Sequence, residues 1–343
     1  MLKLSIGFNG SIAFMGVVEK YKDHIADIYF VPPALASGRA SGGRMGAHSY
    51  TLCLHQMLVR AKELGIPTNI LFNALCVGSD FGSNRQGEKI VAVMNIHTEL
   101  YNVRSATLVS PLDAQLVKRQ FPQVKVHAAE DMFIRNPVQA REVAPFCDAL
   151  ILDRNINRDL DTIRAIKDKT RREIQLLANE ACVQECSNRV QHLNHLSHQQ
   201  SAGTACLLPC LREHEQDHAT VIKAPIIRPE DLHHYEGLIG SVKLASRITG
   251  DQRLDLTLRA YTSGQFNGNL FDILESPGLD SYIGMMRQRD HQNPYFDNAS
   301  IPQDFWEHVT QCDKLCRGCT YCDEIAQRAF KLMPFQPAQA VTS

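Results

Sequence analysis

Eight of the eleven cysteines in the sequence fall into two clusters with regular spacing. The pattern C-x3-C, a gap of nineteen residues and a second C-x3-C defines the central quartet: Cys182, Cys186, Cys206 and Cys210. The pattern C-x3-C-x2-C-x2-C defines the terminal quartet: Cys312, Cys316, Cys319 and Cys322. Closely spaced thiols indicate metal or redox chemistry, because thiolates ligate zinc and iron–sulfur clusters. The other three cysteines stand alone in apolar stretches and are interpreted as small core residues.

The two quartets allow different metals. The central quartet has two pairs separated by a loop, which would let four sulfurs reach the corners of a zinc tetrahedron. The crowded C-x2-C-x2-C of the terminal quartet is typical of ferredoxin-type [4Fe–4S] ligation, with zinc as the alternative. Its first three cysteines also have the spacing of radical S-adenosylmethionine enzymes, but in those enzymes the motif follows the first barrel strand. We therefore predict an iron–sulfur cluster or zinc at the terminal quartet.

A histidine-rich segment follows the first two cysteines. In "NRVQHLNHLSH" the spacing of His192, His195 and His198 is i, i+3, i+6, which keeps them broadly on one side of a helix. Three histidines could bind a metal ion. The alternative is a helix with solvated histidines that covers the mouth of a barrel, and both interpretations stay open from the sequence alone.

The composition indicates a soluble globular protein. Lys and Arg total 36 against 37 Asp and Glu, so the bulk charge supports neither nucleic-acid nor membrane binding. The first residues, "MLKLSIGFNG", lack the basic and apolar regions of a signal peptide. We therefore expect a cytoplasmic protein, where clustered cysteines are metal ligands or redox groups more often than disulfides.

Short aliphatic runs alternate with helical patterns along most of the chain. Such alternation predicts a parallel sheet, and eight or nine strands favour a closed (β/α)8 TIM-like barrel of class α/β. We place the barrel and the central quartet in residues 1–275, and the terminal quartet in an irregular C-terminal extension, residues 276–343. The predicted strands are "KLSIGFN", "ADIYFVP", "PTNILFNAL", "SATLVS", "QVKVHAA", "ALILD", "EIQLLANE", "APIIRP" and "SVKLASR".

The strand ends supply the candidate catalytic residues, because barrel active sites form where strands end. Those candidates are Asn179, Glu180, His195, Arg228 and Arg247. Arginines suit a carboxylate or phosphate ligand, since guanidinium pairs with both in a bidentate manner. We therefore expect Arg228 and Arg247 to hold an anionic group near Cys182, with Arg39 and Arg44 of a glycine-rich loop nearby. Further polar strand-end residues are Asn73, His127, Asp153, Arg154, Asn155 and Lys243.

Four stretches, read in order, resemble the collagenase-like peptidase family of unknown catalytic type. They are "NEACVQECSNRVQHLNHLSH", "CLLPC", "PIIRPEDLHHYEGLIGSVKLASRITG" and "RAYTSGQFNGNLFDILE". The resemblance covers roughly residues 60 to 275. That family has an iron–sulfur branch, which includes the ubiquinone-biosynthesis proteins UbiU and UbiV and oxygen-independent hydroxylases of RNA. The resemblance implies a [4Fe–4S] cluster on the central quartet, and an anionic, prephenate-like co-substrate.

The resemblance leaves three functions open. The first is an iron–sulfur enzyme for oxygen-independent hydroxylation or a related redox modification. The second is a peptidase, as the family name states, although the sequence contains no G-x-S-x-G, no H-E-x-x-H and no recognisable Cys–His pair outside the quartets. The third is a non-catalytic iron–sulfur subunit that docks on a homologous protein.

Overall fold

The computed structural model describes residues 2–33, 35, 47–202 and 209–335 of the chain. Cys206 of the central quartet and the two arginines of the glycine-rich loop, Arg39 and Arg44, lie outside the described residues. Within the described ranges, no helix combines the length and the apolar character needed to cross a membrane.

Eight parallel strands close into a barrel, in chain order, and the last pairs with the first. Apart from "APIIRP", each predicted run supplies one strand, so the prediction of a (β/α)8 fold is confirmed. The strands are β1 Lys3–Gly7, β2 Ile25–Phe30, β3 Thr68–Phe72, β4 Ser105–Leu108, β5 Lys125–Ala128, β6 Ala149–Ile151, β7 Glu173–Leu177 and β8 Ser241–Leu244.

Helices connect the strands and cover the barrel. Several begin at a side-chain cap followed by proline, as at Ser110–Pro111 and Asn136–Pro137, where proline needs no hydrogen-bond acceptor for its nitrogen. The helices of this part are α1 Phe14–Val18, α2 Ala47–Leu64, α3 Asn84–Tyr101, α4 Pro111–Gln120, α5 Pro137–Val143, α6 Leu160–Thr170, α7 Arg189–Ala202, α8 Pro209–Gln216, α9 Thr220–Lys223 and α10 Asp251–Ser263. Short 3-10 turns include Gly78–Asp80, Glu130–Met132, Arg154–Ile156 and Pro229–Tyr235.

The run "APIIRP" is not a barrel strand, contrary to prediction. Its backbone carbonyls accept hydrogen bonds from side chains and not from a neighbouring strand. Asn157 Nδ2 donates to Pro225 O at 2.8 Å, and the Tyr261 hydroxyl donates to Ile227 O at 2.8 Å. Pro225 also lacks the N–H that a sheet ladder needs. The segment is therefore buried and extended without joining the sheet, and β8 takes the eighth position.

The strands place apolar side chains outward, under the helices, and many polar side chains inside the barrel. Ser5 Oγ donates to Asp27 Oδ1 at 2.5 Å, and Asn69 Nδ2 lies 3.3 Å from His127 Nδ1. All four residues are buried. Barrel interiors are usually filled by branched aliphatic residues, so this interior is unusually polar, and its hydrogen bonds satisfy groups that would otherwise be costly to bury.

The C-terminal extension is more regular than predicted. It consists of α11 Pro277–Arg289, α12 Phe305–Thr310, α13 Tyr321–Ala329 and the antiparallel strands β9 Gln292–Phe296 and β10 Phe330–Pro334. Ile325, Ala326 and Ala329 of α13 are buried in the same core cluster as the barrel residues, and Phe330 packs against it. Helix α13 ends at Ala329, because the following residues form β10. The division of the chain at residue 275 stays a prediction, since apolar side chains from both parts enter one core.

Candidate active site

A charged cavity opens at the carboxyl ends of the barrel strands, and we call it the mouth. Its charged lining residues are Glu130, Asp131, Lys243, Arg247 and Glu275. Three carboxylates thus border the same space as two cations. Because ligands bind at this end of (β/α)8 barrels, the mouth is the candidate active site.

The two cations of the mouth are positioned around Tyr29. Lys243 Nζ lies 4.0 Å from the centre of the Tyr29 ring, and the Tyr29 hydroxyl donates a 2.6 Å hydrogen bond to Leu244 O. Gly7 leaves the room for this packing, since a Cβ there would lie 2.6 Å from Arg247 Cγ and 2.7 Å from the Tyr29 ring. The glycine at the end of β1 is therefore required by close approach and not by backbone conformation.

A cleft of about 750 Å³ adjoins the mouth, and Arg247 and Glu275 line both spaces. Cys182 and His192 lie on the wall of this cleft. The Thr249 hydroxyl donates a hydrogen bond to a Glu275 carboxylate oxygen, and Glu275 is 7% exposed. Glu275 and Arg247 are thus the charged pair that a ligand spanning both spaces would meet.

A wider groove of about 1540 Å³ lies near the mouth and also borders α7. Asn73, after β3, lines the mouth, and its neighbour Ala74 lines the groove. Helix α7 contributes Ser197 to the groove, and the Leu75 N–H donates to Ser197 Oγ at 3.1 Å. Phe81 is 68% exposed there, which gives the groove an apolar side chain for a ligand to cover.

Arg189, the first residue of α7, ties that helix to the barrel. Its guanidinium lies 2.5 Å from Glu130 Oε2 and 3.3 Å from Glu180 Oε2. Asp131 Oδ1 lies 3.5 Å from the same nitrogen. Burial acts to lower the pKa of Arg189, but the surrounding carboxylates outweigh it and hold the pKa well above its usual value. Arg189 therefore stays charged and anchors α7 beside the mouth.

Arg154 and Asn155 fix the loop that carries Cys182. Arg154 is fully buried; its Nη1 donates to Cys182 O at 2.8 Å and its Nη2 to Val183 O at 2.9 Å. Asn155 Oδ1 accepts the N–H of Glu185 at 3.1 Å, and Glu185 has a left-handed φ of 48°. Side chains that follow β6 thus determine the path of the cysteine loop that follows β7.

Two predicted catalytic residues, Asn179 and Glu180, lie beside the mouth, and both side chains make contacts that stabilise the surrounding structure. Asn179 Nδ2 donates to Ala245 O at 3.0 Å and to Ile273 O at 3.1 Å, and its Oδ1 accepts the Ala245 N–H at 2.7 Å. Glu180 Oε2 lies 3.3 Å from Arg154 Nε and 3.3 Å from an Arg189 nitrogen. The contacts of both side chains position neighbouring backbone and charges.

Of the two arginines expected to share an anion, the structure brings only Arg247 to the mouth. Arg228 pairs with Asp231 through two hydrogen bonds of 2.9 and 2.8 Å, and its guanidinium lies 4.8 Å from the centre of the Phe305 ring. It borders a different cavity, with His233 and Trp306. The expectation failed because "APIIR" is not a barrel strand, so its end does not reach the mouth.

The three histidines of α7 face different surroundings. His192 lines the cleft with Cys182, whereas His198 lines the groove. His195 Nε2 is buried and has no hydrogen-bond partner among the residues that the structure describes. The helix prediction is confirmed, but the three rings do not point to one shared ligand.

Two members of the central quartet reach the same turn. Cys182 lines the cleft together with Ser276 and Pro277. Cys210, on α8, packs against the next residue, where a Cβ on Gly278 would lie 2.3 Å from its Sγ. Cys186 follows on the loop of Cys182, and Cys206 is outside the described residues. The [4Fe–4S] cluster on this quartet stays a prediction.

Three cysteines of the terminal quartet lie on the loop between α12 and α13, and the fourth, Cys322, is in the first turn of α13. Cys316 and Cys319 are exposed, and Cys312 and Cys322 are partly buried. Across the described ranges, no three His, Cys, Asp or Glu side chains are arranged closely enough to hold one metal ion. The predicted second metal centre likewise stays a prediction.

Most of the charged residues of the mouth were not among the predicted site residues. Glu130 and Asp131 come one residue after the end of β5, so the strand-end rule would have found them had it been applied beyond His127. Glu275 and Arg189 carry no such signal. Glu275 follows no barrel strand and reaches the mouth by pairing with Glu180 in an isolated β-bridge. Arg189 also follows no strand directly, since it is the first residue of α7.

Fold and site together define a (β/α)8 barrel with a charged site at the carboxyl ends of its strands. A scan against protein-family models gives no match. The chain is 29% identical over 286 residues to "Uncharacterized protease MJ1657" of Methanocaldococcus jannaschii, with 79% of this chain and 80% of that protein covered. Among solved structures it is similar to "The Structure of the U32 Peptidase Mk0906", with a TM-score of 0.54, 13% identity, and coverage of 72% of this chain and 93% of the other.

The two comparisons carry different weight. At 13% identity, the structural likeness shows the barrel fold alone. The relative from Methanocaldococcus jannaschii is named a protease and the solved structure a U32 peptidase, and neither name distinguishes the iron–sulfur branch.

Proposed function

We propose that the chain is an enzyme of the collagenase-like (U32) peptidase group that hydrolyses peptides at the mouth of its barrel. The observation that carries this proposal is the presence of both charge signs in one cavity. Glu130, Asp131 and Glu275 line it with Lys243 and Arg247. A peptide carries ammonium, carboxylate and amide groups, so it can pair with both signs. The protease names of the two similar proteins support the same substrate class.

The spaces around the mouth suit an extended ligand. The cleft of about 750 Å³ shares Arg247 and Glu275 with the mouth, and the groove of about 1540 Å³ begins at the next residue after Asn73. Both spaces also border α7, through His192 in the cleft and Ser197 in the groove. We propose that a peptide binds at the mouth with its flanking residues in these spaces.

Glu275 and Arg247 are the residues placed to act on the peptide bond. Glu275, desolvated by burial and oriented by Thr249, takes a proton from a water molecule whose oxygen adds to the carbonyl carbon. Arg247, on the same wall, stabilises the negative oxygen that forms. The proton on Glu275 then passes to the leaving nitrogen as the C–N bond breaks. Lys243 holds an anionic group of the substrate.

The test is incubation of the purified protein with a complex peptide mixture and detection of new termini by mass spectrometry. Glu275→Gln is expected to lower kcat by about 10²-fold or more with little change in KM, and Arg247→Met by about 10²-fold. Glu63→Gln, an exposed carboxylate on α2, is the matched control and keeps wild-type activity. Absence of new termini, or wild-type turnover by Glu275→Gln, refutes the proposal.

The second candidate is the oxygen-independent, iron–sulfur chemistry of the other branch of the group. It is favoured by the approach of Cys182 and Cys210 to the turn of residues 276–278, beside the mouth. These two thiols, with Cys186 and Cys206, would hold a [4Fe–4S] cluster, which supplies one-electron transfer when bound. Lys243 and Arg247 would bind the anionic co-substrate that the resemblance implies.

Anaerobic purification followed by iron and sulfide counting separates the two candidates. The iron–sulfur candidate predicts a brown protein that loses iron in Cys182→Ser, whereas Cys76→Ser, outside both quartets, keeps it. A colourless protein without iron after anaerobic preparation refutes this candidate and leaves peptide hydrolysis unaffected. Cytoplasmic localisation and a homologous partner subunit remain expectations of the sequence.

A further inference from the structure

The loop of the terminal quartet has the backbone of a tight, multiply turned segment. Lys314, Cys316 and Gly318 have left-handed φ values of 64°, 53° and 68°. The Lys314 N–H points at Cys312 Sγ, at 3.3 Å. Two non-glycine residues in this region are unusual in so short a segment, and these turns lie between Cys312 and Cys319, on the short loop that leads into α13 at Cys322.

A buried cation faces this loop. Arg158 and Cys312 line one cavity of about 680 Å³, next to Lys314. Arg158 is 6% exposed, and its guanidinium donates to Ile222 O at 3.1 Å and to Ile226 O at 3.3 Å. In the described part of the chain, no carboxylate lies within ion-pair distance of it. A buried guanidinium without a counter-ion is costly, which points to a negative group on the loop.

Other contacts hold the loop on the barrel. Lys314 Nζ donates to Asn155 O at 2.8 Å. Lys223, the last residue of α9, pairs with Asp323 at 2.6 Å, directly beside Cys322, and with Asp217 at 2.8 Å. The carboxylates that border the cavity are otherwise engaged, because Asp159 caps α6 and Asp161 pairs with Arg164 at 2.8 Å. Arg158 is thus the cation beside the loop that pairs with no carboxylate among the described residues.

We propose that Cys312, Cys316, Cys319 and Cys322 form a tetrathiolate site for a thiophilic metal centre, zinc or an iron–sulfur cluster, docked against Arg158 and Lys223. Four thiolates around either centre leave a net negative charge, which complements the buried guanidinium. Binding requires the exposed side chains of Cys316 and Cys319 to turn towards Cys312 and Cys322. This site is separate from the mouth and independent of the proposed function.

Metal analysis of anaerobically purified protein tests the site, with zinc, iron and sulfide measured per chain. The exposed Cys316→Ser, which leaves the core intact, and the double variant Cys319→Ser with Cys322→Ser should each lose one zinc, or about four irons with their sulfide. Cys76→Ser, a thiol outside both quartets, should retain the wild-type content. Loss of zinc identifies a mononuclear site, and loss of iron with sulfide identifies a cluster.

Alkylation by iodoacetamide gives a second readout that does not depend on the variants. Metal-bound thiolates are protected, so Cys316 and Cys319 of the wild type should label at least about 10-fold more slowly before chelator treatment than after it. Unchanged metal content in both variants would overturn the proposal. So would labelling of Cys316 and Cys319 at the same rate with and without chelator.

Discussion

Replacing Arg189 by methionine is expected to lower the free energy of unfolding by about 3–4 kcal/mol at pH 7. The guanidinium is 8% exposed and contacts three carboxylates: Glu130, Asp131 and Glu180. Methionine keeps much of the volume but removes the charge, so the cost arises from carboxylates left in a low dielectric. Arg154 still lies 3.3 Å from Glu180 in the variant. We therefore expect a loss of stability in the lower half of the range that is measured when one partner of a buried ion pair is removed.

The pH dependence of this effect has a definite sign. Without Arg189, burial raises the pKa of these carboxylates in the folded state above their unfolded values. The folded variant then binds more protons than the unfolded chain, so its stability rises as the pH falls from 7 towards 5. The difference in free energy of unfolding between the variant and the wild type should therefore become smaller as the pH falls from 7 to 5.

Urea unfolding followed by circular dichroism at pH 7 and pH 5 measures both effects through the shift in midpoint. Arg164→Met is the matched control, because Arg164 pairs with Asp161 at 2.8 Å in an exposed i,i+3 bridge and should cost no more than about 0.5 kcal/mol. The explanation is refuted if, at pH 7, the free energy of unfolding of Arg189→Met lies within about 1 kcal/mol of that of Arg164→Met. It is also refuted if the loss of stability in Arg189→Met is as large at pH 5 as at pH 7.

Two further changes test the core and the site. Gly7→Ala should cost about 1–3 kcal/mol by overpacking Arg247 and Tyr29, whereas Gly16→Ala, in α1 with open space around it, should be neutral or stabilising; urea midpoints compare the two. Burial lowers the pKa of His97, which is held neutral with Nδ1 2.7 Å from Val93 O. Stability should therefore fall as the pH drops below about 6.5, where the unfolded chain takes up the proton first. His97→Gln should weaken this acid dependence in urea titrations between pH 7.5 and 5.5, and an unchanged slope would contradict the assignment.

The barrel was predictable because its signal is local. Each buried strand is a short run rich in aliphatic residues, and each intervening helix has its own period and stop signals. The run "APIIRP" has a similar aliphatic centre, and its prolines are the local sign against a strand. Its exclusion also depends on Asn157 and Tyr261, which donate hydrogen bonds to its carbonyls from distant parts of the chain. Of the eight or nine strands that the pattern predicted, eight form.

The candidate site was less predictable, because its charges meet through long-range contacts. Arg247 could be found from the end of β8, since that strand reaches the mouth. Glu275 could not, as it reaches the mouth through an isolated bridge to Glu180 after more than 90 intervening residues. Asn179 follows the end of β7, as predicted, but its contacts are to backbone groups of Ala245 and Ile273 that no spacing rule identifies.

Adjacent residues on one short turn connect the two cysteine loops. Arg154 donates to the carbonyls of Cys182 and Val183, and the carbonyl of Asn155 accepts Lys314 Nζ from the terminal loop at 2.8 Å. Buried hydrogen bonds with a charged donor contribute about 1.5–3 kcal/mol each, and Arg154 is fully buried, so this turn holds the Cys182 loop firmly. Lys314 is exposed, so its bond to Asn155 contributes less and fixes the terminal loop more weakly. The end of β6 thus contacts both cysteine loops but is expected to determine the position of the Cys182 loop alone.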